Sequence, residues 1–266
     1  MLMTGACLLE IYKAQHGADV VISAKNTQGL VNQARSALTK QQETVKALMD
    51  EMSSYPAHDS ASLLSVRNSG LVLMHELSCL TCDTSTEVEI VKKAGDLTSA
   101  TEVITMAENS RQYGTAVAAA RGFDIALTML LASPQRDTPS IASVIRQRIE
   151  IEDLANTTND AQETLVELYA SAATHLSLLA TSYPSDEAAW LVTTAFNRGV
   201  AHHRMLRYTQ AKSMFEMARS ILPHALRSDP KLERLHDRIE EAMRIVQTEL
   251  LSEKSDSTIA GLVSAP

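Results

Sequence analysis

The stretch VTTAFNRGVAHHRMLRYTQAKSMFEMARSILPHA, residues 192–225, decides how the rest of the chain is read. It divides into two apolar-periodic segments with small residues where a pair of helices must touch. Gly199, Ala211 and Ala218 stand where a larger side chain would push two helix axes apart. Tyr208 and Phe215 lie one heptad apart, so they share a helix face and can fill the space beside those small residues. Pro223 is expected to end the second helix, because it has no amide hydrogen and its ring clashes with the preceding turn. The window predicts a helical hairpin.

In length and in the order of its Gly, Tyr, Ala, Phe, Ala and Pro positions, the window resembles a tetratricopeptide repeat. The resemblance implies a solenoid of stacked hairpins that binds other proteins. Composition agrees with an all-α chain: 9 Gly and 7 Pro among 266 residues leave little punctuation for a β-rich fold, and good helix formers dominate. The formal charge of −8 argues against direct nucleic-acid binding, which needs clustered Lys and Arg to replace phosphate counterions. Residues 198–244 nevertheless hold 10 basic and 6 acidic residues, an excess of 4 positive charges. A solvated helix surface and a docking face for an acidic partner both fit that bias.

Three cysteines make a poor disulfide framework and point to a reducing compartment. Cys79 and Cys82 form a lone CxxC, with His75 one helical turn before Cys79. Positions 75, 79 and 82 share a helix face and could offer three metal ligands. No fourth ligand lies nearby, and Leu71, Val72, Leu77 and Leu80 point to a buried helix. The expectation is an inert, buried CxxC, with no metal and no cofactor. The apolar start, residues 1–9, is short and lacks a basic flank, so no secretory signal is expected. No apolar run approaches the ~20 residues that span a bilayer. A soluble, intracellular chain without a membrane partner is expected.

Helical patterning predicts helices over about 2–15, 27–52 and 60–82, a pair over 87–94 and 97–112 broken near Gly95, and further helices over 138–155 and 158–181. Others are expected from Ser185, over 208–222, and from Pro230 to about Leu251. Gly114, Phe123 and Ala126 repeat the spacing of Gly199, Tyr208 and Ala211. They predict a degenerate second repeat over 107–140, although an ordinary helical hairpin would suit the same small residues. The organisation expected is one repeat domain over 1–251 and a flexible tail over 252–266.

Residues 187–200, EAAWLVTTAFNRGV, followed by the second helix marked by Tyr208 and Ala211, resemble the C-terminal region of the meiotic Zip-four/Spo-twenty-two/testis-expressed-eleven family. The sharp match covers about residues 187–222. What the resemblance implies is a long tetratricopeptide scaffold in the nucleus, on meiotic chromosomes, acting in crossover formation and synaptonemal complex assembly. Its partners would be crossover factors and a synaptonemal central-element protein. The family's aromatic–asparagine pair, implicated in binding that partner, falls on Phe196 and Asn197. Phe stands where Trp is usual, which keeps the aromatic plane and loses the indole donor. Family members are several times longer, which leaves a fragment, a truncated gene model and a divergent short relative as open readings.

The repeat register reaches the same pair. It turns Thr193, Phe196, Asn197, Val200, His203 and Arg204 toward a concave groove, as a protein-binding strip with an aromatic anchor. Val192, Phe196, Gly199 and Leu206 also share a face, so Phe196 can equally belong to the core. His202 and His203 point about 100° apart and do not converge. Asp124, Glu150, Glu152 and Asp153 form no carboxylate pair, and the chain has no phosphate loop or nucleophile elbow. A non-enzymatic scaffold is expected. The rivals are a generic tetratricopeptide adaptor, chaperone- or signalling-linked and otherwise cytoplasmic, and a helical enzyme or enzyme subunit.

Overall fold

A computed structural model describes residues 24–52, 60–80, 83–155, 159–179, 182–226 and 232–263. Among these residues are ten helices and no strand, as an all-α chain requires. The helix expected over 2–15 and Cys82 lie outside the described residues. Among the described residues, no helix is long and apolar enough to cross a membrane. The run of hairpins expected over 1–251 is divided into two compact units, 1–134 and 135–266, each described by itself.

The first unit holds α1 (Ala24–Met52), α2 (Ser60–Leu80), α3 (Thr84–Leu97), α4 (Ala100–Tyr113) and α5 (Ala116–Ala132). Three polar caps set its last three helix starts. Asp83 accepts from the Thr86 amide, Ser99 and Glu102 form a reciprocal capping box, and Thr115 accepts from the Ala118 amide. The capping box corrects the break expected near Gly95. Glycine costs a helix interior only about 1 kcal/mol, and Ser99 offers a better start, so α3 runs on to Leu97. α2 packs against α1, α3 and α4, and α5 against α3 and α4. Leu71, Ile90, Val91, Val103 and Met106 form the core between them.

Gly114 departs from the repeat proposed over 107–140. It is the C-cap of α4, in the turn before α5, whereas Gly199 lies inside a helix. The close helix contact is made instead at Gly122, where a Cβ would come 2.8 Å from that of Ala107.

The second unit holds α6 (Thr138–Ala155), α7 (Asn159–Leu179), α8 (Ser185–Arg204), α9 (Tyr208–Leu226) and α10 (Glu233–Val263). Every helix here touches the next and the next but one. The tightest pair is α8 and α9. Ala211, Phe215 and Ala218 are buried in it, and a Cβ on Gly199 would come within 2.4–2.9 Å of the Phe215 ring. Tyr208 opens α9 and is half-buried.

Two ends differ from expectation. Pro223 lies inside α9 and does not stop it. The proline is exposed and forfeits one hydrogen bond, while Ala225 beyond it is fully buried, so packing carries the helix another turn. α10 continues to Val263 through residues expected as tail, since neither Pro nor Gly interrupts the chain between 252 and 260.

The α8–α9 turn closes as a Schellman motif. The Leu206 amide donates to the His203 carbonyl and the Arg207 amide to the His202 carbonyl, both at 2.9 Å. Leu206 takes the left-handed position at φ 59°, where glycine is usual.

Candidate functional site

The strip expected on α8 separates into an outer stripe and one inner ring. Thr193, Asn197 and Arg204 are exposed, and Val200 and His203 are partly so. Their spacing of three and four residues keeps them on neighbouring faces of one helix. Phe196 is 4% exposed. Its ring packs at 5.6 Å from that of Phe215, with the Arg238 guanidinium 5.1 Å above it. Of the two placements left open by the sequence, Phe196 takes the core one and offers no exposed anchor. The physical reason is Gly199: its missing side chain lets Phe215 close on α8, and Phe196 follows on the same face.

Charged and aromatic groups hold this helix between its neighbours. Arg146 of α6 reaches Glu187 at 3.0 Å and Glu150 at 3.3 Å, and lies 4.6 Å over the Trp190 ring. Arg198 pairs with Asp153 of α6, and His203 lies 3.2 Å from Glu249 of α10. Glu150 and Asp153 thus serve packing of α6 on α8. His202, on the opposite side from Asn197, is 8% exposed. Burial holds its basicity below the usual imidazole range, assisted by the positive charges of Arg207 and Arg198. What α8 leaves exposed is a polar stripe of Thr193, Asn197 and Arg204.

A second cluster lies in the first unit. His75 and Cys79 sit one turn apart on α2, Glu87 in the first turn of α3, and Ser110 near the end of α4. All four are essentially inaccessible. His75 Nε2 lies 3.0 Å from Ser110 Oγ, and Cys79 Sγ lies 3.8 Å from His75 Nδ1. The Cys79 thiol donates to Glu87 Oε1 at 3.5 Å. The Glu87 carboxylate also accepts from the Thr115 amide and hydroxyl, both at 3.2 Å. Burial lowers the His75 pKa to about 4, against an opposing pull from Glu87. Burial and Glu87 together push the Cys79 thiol up to about 12.

Sequence reasoning grouped His75, Cys79 and Cys82 and missed Glu87, which approaches across the turn between α2 and α3. The available signal was the Asp83 cap: once Asp83 starts α3, Glu87 falls in its first turn, where the helix dipole favours a carboxylate. No family profile matches the chain, and neither a curated protein nor a solved structure is significantly similar to it.

Proposed function

We propose that this chain is a non-enzymatic protein-interaction scaffold built of tetratricopeptide-like hairpins, with the exposed stripe of α8 as its recognition face. The observation that carries the reading is the fit of Phe215 over Gly199, with Ala211 and Ala218 buried beside it. That is the close contact a repeat hairpin requires at this spacing. Next-but-one packing throughout α6–α10 supports the same reading, because stacked hairpins bury their apolar faces only against their neighbours.

The resemblance of residues 187–222 to the meiotic family points to crossover formation and synaptonemal complex assembly as the process in which such a scaffold would act. Thr193, Asn197 and Arg204 would meet a central-element protein in the nucleus, with Phe196 acting from beneath by fixing the helix. The experiment is a pull-down of a central-element protein by the full chain and by Asn197→Gln, with localisation in meiotic cells alongside. Association that Asn197→Gln abolishes is expected. A wild-type chain that neither binds that partner nor reaches meiotic chromosomes overturns the meiotic reading. The exposed Arg204 and Arg207 favour a second reading, a generic adaptor for an acidic segment. Salt-sensitive binding to acidic peptides, undisturbed by Asn197→Gln, would select it.

A further inference from the structure

We propose that His75, Cys79 and Glu87 form a structural zinc site that joins α2 to α3, with His75 Nδ1, Cys79 Sγ and one Glu87 carboxylate oxygen as its protein ligands. One potential ligand atom from each residue lies within 4.8 Å of the other two. In a tetrahedral zinc site, bonds of about 2.3 Å to sulfur and 2.0–2.1 Å to nitrogen or oxygen put sulfur about 3.5 Å from its neighbours. Cys79 Sγ is 3.8 Å from His75 Nδ1 and 3.5 Å from Glu87 Oε1. The sulfur is equally 3.8 Å from His75 Nε2, so coordination through Nδ1 requires the imidazole to turn toward it.

The surroundings are those that metal ligands need. A coordinating imidazole is normally oriented by a hydrogen bond from its other nitrogen, and His75 Nε2 has Ser110 Oγ at 3.0 Å for that purpose. Thr115 holds the Glu87 carboxylate from both its amide and its hydroxyl. Glu87 and Cys79 both pack directly on Gly114, where a Cβ would come 2.2 Å from Glu87 Oε1 and 3.0 Å from Cys79 Sγ, so the glycine lets the two ligands lie side by side.

Charge balance also fits zinc. Glu87 is fully buried, and its hydrogen-bond partners among the described residues, Thr115 and Cys79, bring no positive charge. A thiolate and a carboxylate around one divalent ion sum to zero, so the ion would leave no net charge in this buried site. Zinc displaces the thiol proton, which passes to solvent, and sulfur then ligates as thiolate. Thiolate with imidazole selects zinc over magnesium or calcium. The cluster offers three protein ligands among the described residues, so a water would have to complete the fourth position. With all three ligands buried, the ion serves to hold the unit together and does not act on a substrate.

The test is titration of the full chain, stripped by chelator, with cobalt(II), followed by displacement with zinc. One cobalt per chain is expected, with a thiolate-to-cobalt charge-transfer band that zinc abolishes and a melting temperature raised by zinc. Cys79→Ser should lose the band, Glu87→Gln should weaken binding at least tenfold, and Cys82→Ser should retain both. A folded wild-type chain without a saturable band overturns the site, and that measurement needs no variant. A band that survives Cys79→Ser, or that depends on Cys82 alone, also overturns it.

Discussion

The Phe215 ring occupies the space that a side chain at Gly199 would need: a Cβ there would come 2.4 Å from Phe215 Cε1. Glycine is therefore a packing requirement at this point of α8, although it is a poor helix former. Gly199→Ala is expected to destabilise the second unit by roughly 1–3 kcal/mol, the usual cost of overpacking, despite the gain in helix propensity. Ala211→Leu, at a fully buried position of the facing helix, should cost a similar amount. Denaturant midpoints measure both. Phe215→Leu should recover part of the Gly199→Ala loss, and strict additivity of the two changes would refute the contact.

Leu206 makes the opposite prediction. A left-handed backbone costs a non-glycine residue roughly 1–2 kcal/mol, and the side chain is 69% exposed, so little packing offsets it. Leu206→Gly should raise stability by about 1 kcal/mol, with the α8–α9 turn unchanged. A lower melting temperature would mean that the leucine contributes contacts beyond those of the turn.

Neighbouring positions on α8 should separate stability from recognition. Phe196→Ala removes a buried ring and should cost about 3–5 kcal/mol. Asn197→Gln, one residue on and exposed, should leave the melting temperature within a degree or so of wild type. If it also leaves binding intact, the recognition stripe is not where we propose. An extra methylene displaces both the donor and the acceptor of the amide, so loss of a hydrogen bond worth about 1–3 kcal/mol should weaken a complex roughly tenfold or more.

Acid should act through His202. Its folded pKa is lowered by burial and by the positive charges of Arg207 and Arg198. The unfolded chain therefore binds a proton near pH 6.5 that the folded chain refuses until lower pH. The contribution of neutral His202 is complete above that value and is lost as pH falls below it. His202→Gln should flatten this part of the stability profile relative to wild type. Parallel profiles would show that His202 titrates alike in both states.

The helices were legible because their periodicity is local: 27–52 became α1 (Ala24–Met52), and 138–155 became α6 (Thr138–Ala155). The small-residue set around Gly199 was legible for the same reason, since a hairpin brings together residues close in sequence. Phe196 could not be placed from spacing, because helix rotation depends on what α10 brings, including Arg238. Pro223 was misread because the burial of Ala225 outweighs a local rule. Glu87 was missed because the turn that folds it back on Cys79 is fixed by a cap, and its carboxylate is held by Thr115, the cap of α5.

Next-but-one packing in α6–α10 has a consequence for how the second unit comes apart. Among the described residues α10 packs chiefly on α9 and, to a smaller extent, on α8, so releasing it leaves the packing of α6 on α7 largely in place. Opening from that end needs only a fraction of the global unfolding free energy. Amide exchange should therefore be graded, fastest in α10 and slowest where α8 meets α9. A partner spanning both α8 and α10 would slow exchange in helices it never touches.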